Sequence, residues 1–250
     1  MTDKSKWVEG KVVALRQWTA QLFSIQIDAA IAPFQAGQFG KLALEIDGEM
    51  VGRPYSFVNA PHEKPLEFYF ITVPGGPLSN RMVDLQSGDP IWLGPKANGF
   101  LVLAEQPPGE HLWLLSTGTA IGPFLAICKT AEPWARFKKI VFVHAVRTAA
   151  ELTYQDQIQK IAAQHGDQFV YLPFVSREDT DFAIKARVPD AIRDGRLEAR
   201  AGVDISAEKS QVMICGNPDM VTDTTAALIE RGLKKNKRKE PGHISVENYW

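Results

Sequence analysis

Hydrophobic and polar residues alternate with a rough period of two over residues 11–18, 22–28 and 39–46. That is the pattern of strands with one face buried. Asp47-Gly48 is a hairpin-type turn leading into a strand over 50–59, and residues 66–73 are rich in aromatic and β-branched side chains. Short strands punctuated by glycine and proline predict a small antiparallel β-barrel. Gly75-Gly76-Pro77 interrupts this pattern and precedes helical spacing over 78–85. A glycine turn feeding a helix start leaves backbone N–H groups free, which suits a diphosphate; a plain turn and one surface helix is the alternative.

After Pro107-Pro108-Gly109 the pattern changes to strand-like runs alternating with helical ones, as in βαβ units around a parallel sheet. Strands are expected at 111–116, 140–146, 169–175 and 211–215. Helices are expected after Pro123 to about residue 130, over 151–164, and from Pro218 to about residue 231, the last capped by Asn217. The expected fold is two-domain: an antiparallel β-barrel over 1–106, then an α/β parallel-sheet nucleotide-binding domain over 107–250. Thr117-Gly118-Thr119-Ala120-Ile121-Gly122-Pro123 allows a tight turn and close backbone approach to a phosphate. It is neither the dinucleotide fingerprint nor a Walker loop, and the missing Gly-Lys-Ser/Thr disfavours nucleotide hydrolysis. The expected strands end at Thr117-Gly118, Arg147, Ser176-Arg177 and Cys215-Gly216. Ligands of open α/β sheets lie at that edge, and its arginines call for a phosphate-bearing dinucleotide.

Composition narrows the class. A net charge of −1, from 28 Lys and Arg against 29 Asp and Glu, argues against a nucleic-acid or membrane surface. No apolar run reaches membrane-spanning length, and residues 1–6 lack the apolar core of a signal peptide. Cys128 and Cys215 lie too far apart for a disulfide or zinc spacing, and five scattered histidines suggest no metal site. The cytoplasm fits all of this.

Arg53-Pro54-Tyr55-Ser56 carries the chemistry of the first half. A flavin dinucleotide needs cationic forked donors for its diphosphate, an aromatic cover for its ring and a donor near N5, and Arg53, Tyr55 and Ser56 are of those types. An ordinary strand with Arg53 solvated fits the four residues equally well. The tail holds six Lys or Arg against one Glu between Arg231 and His243, a solvated face or a dock for an acidic protein. It ends on Tyr249-Trp250, aromatic where chain ends are usually polar.

Together with Leu66-Glu67-Phe68-Tyr69, Val175-Ser176-Arg177-Glu178 and Cys215-Gly216-Asn217-Pro218-Asp219-Met220, these motifs resemble the bacterial ferredoxin (flavodoxin)–NADP+ reductases from Trp7 to Trp250. The resemblance implies an oxidoreductase that moves electrons between NADPH and a ferredoxin or flavodoxin through FAD. It implies FAD contacts from Arg53, Pro54, Tyr55, Ser56, Tyr69, Phe70 and Ile71, and a diphosphate held by Pro77, Leu78 and Ser79. Thr119 would lie where the cofactors approach, Tyr249 over the flavin ring and Trp250 over the adenine. NADP contacts would come from Gly118, Val146, Arg147, Ser176, Arg177, Arg187, Gly216, Asn217, Pro218 and Asp219. Ser56, Cys215, Glu247 and Tyr249 would tune and align the reacting groups. Ala186 departs from the glycine common before this arginine, and alanine resists a positive φ. The expected partner is an acidic one-electron carrier docking near Lys234–Lys239, and the expected state is a monomer. An oxygenase-type reductase and a non-catalytic flavin sensor are the rival readings; two isolated cysteines exclude a four-cysteine cluster within this chain.

Overall fold

The structure, a computed structural model, describes residues 4–249. The first half forms β1 (Val8–Gln17), β2 (Leu22–Asp28), β3 (Phe39–Ile46), β4 (Glu49–Ser56) and β5 (Leu66–Ile71). The single helical turn α1 (Ser79–Met82) and β6 (Pro90–Leu93) follow. They make one antiparallel sheet in the order β4-β3-β6-β1-β2-β5. A bridge between Phe57, just past β4, and Phe68 in β5 draws the two edges together into the expected barrel shape. Phe57 sits at its centre, stacked on Phe34 at 3.9 Å and tilted against Phe68 at 4.8 Å between ring centroids.

The second half forms β7 (His111–Thr117), α2 (Gly122–Cys128), α3 (Glu132–Arg136), β8 (Lys139–Val146) and α4 (Gln155–His165). It continues through β9 (Phe169–Val175), α5 (Val188–Arg193), α6 (Arg196–Ala201), β10 (Ser210–Gly216), α7 (Pro218–Glu230) and β11 (Ile244–Asn248). The sheet is parallel, in the order β11-β10-β7-β8-β9. Its central strands are apolar without alternation because helices cover both faces.

Several expectations change. The helix over 78–85 shrinks to one turn, and the strand over 50–59 ends at Ser56. The helix after Pro123 stops at Cys128 and restarts as α3. That over 151–164 starts only at Gln155, after a capping box between Thr148 and Glu151 and a left-handed Tyr154 at φ 59°. The sequence pattern missed β6, which is four residues long and opens on a proline, and it missed the six-residue helices α5 and α6. The tail is a strand: Val212 to Gly216 pair in register with Ile244 to Asn248. Because β11 runs parallel to β10, the Lys234–Lys239 run lies at the N-terminal end of the sheet. Tyr249 leaves the opposite end, five residues or about 16 Å away.

One apolar cluster spans both sheets. Leu22, Val58 and Tyr69 of the barrel pack with Leu101 and Leu103 of the connection and with Phe124, Leu125 and Phe142 of the second half. Polar contacts run along its margin. Thr153 Oγ1 donates to Tyr69 Oη at 3.0 Å, Tyr154 Oη to Glu67 Oε1 at 2.7 Å, and Lys129 Nζ to the Val58 carbonyl at 3.1 Å. Trp18 covers Tyr154 with ring centroids 4.6 Å apart. Phe124 is fully buried in this cluster. Phe124→Ala should cost about 3–5 kcal/mol through lost burial and the cavity left behind. Both halves share the loss, so urea unfolding followed by far-UV dichroism and by tryptophan fluorescence should shift together; separated midpoints would show that the cluster does not couple the halves.

Candidate functional site

Two clefts open where the barrel meets the C-terminal edge of the parallel sheet. The first has a volume of about 530 Å³ and is floored by the end of β4, with Arg53, Pro54, Tyr55 and Ser56 all in its lining. Pairing with β3 orients this segment, Pro54 opposite Lys41 and Ser56 opposite Phe39. The Tyr55 ring meets Phe70 edge-on at 6.1 Å, and burial pushes its hydroxyl up to about 12, so it stays a neutral cover. Arg53 is exposed; its Nη1 donates to the Gly52 carbonyl at 2.8 Å, and it makes no ion pair among the described residues. Tyr69 and Ile71 line the same cleft, whereas Phe70 points into the barrel core, stacked on Phe23.

Gly76, Pro77, Leu78 and Ser79 form one wall. The Gly76 amide donates to the Val73 carbonyl at 2.8 Å, the Val73 amide to Ser79 Oγ at 3.1 Å, and Asn80 Nδ2 to the Val73 carbonyl at 3.0 Å. A Cβ on Gly76 would lie 3.0 Å from that carbonyl and 3.1 Å from Ser79 Oγ, so the turn needs glycine for close approach.

The chain end supplies the other wall. The Tyr249 amide donates to the Gly216 carbonyl at 2.9 Å, which holds the tail at the sheet edge, and Glu247, Asn248 and Tyr249 line the cleft. The Tyr249 ring is half-buried but its hydroxyl end is shut in and approaches Ser56. Ser56 is 2% exposed, and its Oγ has no directed hydrogen bond. Glu247 Oε2 is buried without a partner, and burial raises this carboxyl to about 7. Cys215, paired in register with Glu247, lines neither cleft; burial and then the nearby Glu247 push its thiol well up, so it is a neutral core residue beneath the tail. Trp250 lies outside the described residues.

The second cleft, about 440 Å³, follows the C-terminal ends of β7, β8, β9 and β10. Gly118, Thr119, Val146, Arg147, Ser176, Arg187, Asn217 and Asp219 line it. Nearby acids are occupied by backbone amides: Glu151 Oε2 accepts from Arg147 N at 2.9 Å, and Glu178 Oε2 from Ala149 N at 2.6 Å. The Arg147 and Arg187 guanidinium groups form no ion pair among the described residues, so a strong anion could claim both. Arg187 has extended backbone (φ −82°, ψ 148°) and Ala186 is not at positive φ, so alanine is accommodated there. Arg177 is exposed and stands outside the lining; its backbone amide donates to the Arg147 carbonyl at 2.9 Å. Gly216 and Pro218 also act from behind. A Cβ on Gly216 would lie 2.2 Å from Thr117 Oγ1, the atom that accepts from Asn217 N at 3.2 Å. Pro218 opens α7, whose cap is Asn217 Oδ1 accepting from Asp219 N at 2.9 Å.

The two clefts share Ile71, Thr119 and Tyr249. Sequence reasoning missed Phe39 and Val73 in the first cleft, and Thr19, Gln21 and Asp223 in the second. Asp223 could have been found, since it follows Asp219 by four residues on a helix and shares its face. Nothing local marks Thr19 and Gln21; only the tertiary fold carries the β1–β2 turn to the parallel sheet.

Residues 114–226 match the family model of the oxidoreductase NAD-binding domain. The chain is 46% identical to a flavodoxin/ferredoxin–NADP reductase of Escherichia coli (strain K12) over 245 residues, 98% of this chain and 99% of that protein. It is 38% identical to a ferredoxin–NADP reductase of Pseudomonas aeruginosa, covering 95% of each chain. A crystal structure of a ferredoxin NADP+ reductase from Neisseria gonorrhoeae with bound FAD and NADP superposes with a TM-score of 0.92 at 30% identity, covering 97% of this chain and 98% of that one.

Glu247 leads to a pH prediction. Its folded-state value of about 7 lies above the ordinary 4.5, so between these the native state holds a proton that the unfolded chain has lost. Its contribution to stability is therefore lost as pH rises from 4.5 through 7. Glu247→Gln removes that slope, and its stability relative to the parent should grow by about 2–3 kcal/mol between pH 5 and pH 8. Urea unfolding of both proteins at the two pH values measures this; a pH-independent difference would show that the carboxyl titrates normally.

Proposed function

This chain belongs to the flavodoxin/ferredoxin–NADP reductase family, and we propose that its first cleft holds FAD, its second holds NADP(H), and the reacting ends of both meet at Thr119 and Tyr249. The enzyme transfers electrons between NADPH and ferredoxin or flavodoxin. The observation that carries the site assignment is the shared lining of the two clefts. The first cleft fits a flavin dinucleotide on its own residues. It has an acid-free guanidinium at Arg53, a glycine turn at Gly76-Pro77, and buried polar atoms of Ser56 and Glu247 that lack a partner.

FAD, when bound, supplies the exchange between two-electron hydride transfer and single-electron transfer. The protein's work is binding and alignment. Arg53 and the Gly76–Ser79 turn hold the diphosphate, while Tyr55, Tyr69 and Ile71 flank the ring. The Ser56 hydroxyl is the neutral donor at the reacting edge. Tyr249 would cover the flavin ring where nicotinamide must reach it, and its ring would have to move aside for the coenzyme; it is held by its amide on Gly216 and by partial burial against the core cluster. Glu247, close to half-protonated near neutral pH, holds a proton beside the cleft without placing a fixed negative charge there. Hydride transfer needs no covalent intermediate with the protein, in keeping with the neutral, inaccessible Cys215 thiol.

The adenosine 2′-phosphate is read by Arg147 and Arg187, with Ser176 as a neutral donor and Arg177 as a reserve of positive charge at the rim. The partner is an acidic carrier. The Lys234–Lys239 run stands at the far end of β11, so the cation proposed to meet the carrier is the exposed Lys41, which pairs with Pro54 beside the flavin cleft. The units divide near residue 106, where Arg136 Nη2 clamps the Gln106 carbonyl at 2.8 Å. Two free cysteines fit a reducing compartment, the cytoplasm, and a monomer suffices because both clefts are built from one chain.

The test is anaerobic. The purified protein should be yellow, release FAD on acid treatment, bleach with NADPH, and then reduce flavodoxin or ferredoxin at a rate that falls as salt screens the encounter. Released FMN, or a yellow protein that NADPH does not bleach, would overturn this reading. For coenzyme choice, Arg187→Ala should lower kcat/KM for NADPH about tenfold or more, the worth of one charge-assisted hydrogen bond, and leave NADH within about twofold. Equal losses for both coenzymes would assign Arg187 to the fold.

A further inference from the structure

His144 lines neither cleft and belongs to none of the motifs above, yet it touches the loop on which both clefts depend. It is fully buried near the end of β8, opposite Ser116 of β7. Its Nε2 lies 3.2 Å from the Gly118 carbonyl oxygen, while its Nδ1 is buried and has no partner. A carbonyl oxygen only accepts, so Nε2 carries the proton and Nδ1 is left bare. Burial pushes the imidazole down to about 4, so the ring is neutral at working pH. An apolar side chain of similar size would fill this space without leaving an orphaned acceptor. The imidazole therefore needs another reason to be there, and the bond it makes supplies one.

Gly118 is at φ +53°, and nothing lies within 4 Å of where its Cβ would be. Gly118 opens the short 3-10 turn Gly118–Ile121 at a positive φ that glycine takes at little cost, so the orientation of this peptide is set by that turn and by the His144 contact together. In a trans peptide the carbonyl of one residue and the N–H of the next point in opposite directions. With the Gly118 carbonyl held inward by His144, the Thr119 N–H is turned to the other side of the peptide, and Thr119 lines both clefts. Resting on the cofactor assignment above, we infer that His144 is a positioning residue: it latches the Gly118–Thr119 peptide so that the Thr119 amide faces the cleft junction and aligns the nicotinamide half of NADP(H) for hydride transfer. The adenosine half lies with Arg147 and Arg187 and is independent of the latch.

This separation gives the test. Anaerobic stopped-flow bleaching by NADPH reads hydride transfer, and 2′,5′-ADP reads the adenosine half alone. His144→Leu should retain FAD, bind 2′,5′-ADP within about twofold of the parent, and bleach about five- to tenfold more slowly, the effect of one lost hydrogen bond. His144→Gln, which restores an N–H donor, should recover most of the rate. An unchanged rate in the leucine variant, or parallel losses in 2′,5′-ADP affinity and rate, would overturn the inference. If the leucine variant does not hold FAD, the glutamine variant decides: a rate within about threefold of the parent supports the latch, and a tenfold loss shared with 2′,5′-ADP binding overturns it. A parent protein that NADPH does not bleach would refute the cofactor assignment instead, an outcome distinct from a bleaching parent with an unaffected variant.

Discussion

The apolar cluster common to the two sheets is the constraint from which the rest follows. Neither half buries its own face completely. Leu22, Val58 and Tyr69 reach out of the barrel, and Phe124, Leu125 and Phe142 receive them from the second half. Burial is non-directional, so this contact alone would allow sliding. The hydrogen bonds from Thr153 to Tyr69 and from Tyr154 to Glu67 fix its register. Tyr154 has a left-handed backbone, a conformation unfavourable for a bulky residue, and its fully buried side chain is packed in place there. With the register fixed, the end of β4, the loop after β7 and the chain end converge on Thr119 and Tyr249.

The same convergence explains why the site carries polar groups that folding alone would remove. Ser56 Oγ, Glu247 Oε2 and His144 Nδ1 are buried and unpartnered, and each costs stability. All three lie in or next to the region shared by the two clefts. Cys215 offers the contrast. It sits one register position from the site and is quiet, because burial and a neighbouring carboxylate both favour its neutral form. Positive charge is arranged differently. Around Arg147 and Arg187 the neighbouring carboxylates of Glu151 and Glu178 are engaged by backbone amides rather than by the guanidinium groups, so those cations keep their capacity for phosphate.

Much of the molecule is written locally in the chain. Alternation marked β2 and β3 at their true ends, and apolar runs marked β7 to β10, because a strand buried on one face or on two leaves a distinct pattern. Arg53-Pro54-Tyr55-Ser56, Gly118-Thr119 and Asn217 with Asp219 could be picked out because backbone conformation and side-chain chemistry coincide within a few residues. Short elements escaped: β6 and α6 are too brief for periodicity to register, and their existence depends on partners distant in the chain.

What the sequence by itself determined is the kind of chemistry present: phosphate-binding turns, a flavin-type strand end and a basic nucleotide edge, each encoded by neighbouring residues. What only the tertiary structure decided is which of these groups face a common space. Arg187 lines the second cleft while Arg177 stands outside it, Phe70 turns inward while Tyr69 and Ile71 line the first cleft, and Thr19 and Gln21 arrive from the other sheet. The basic run near the chain end, adjacent to Tyr249 in sequence, is carried to the opposite edge because β11 adds in parallel to β10. Strand direction and long-range packing set these placements, and neither is recorded in the spacing of residues along a chain.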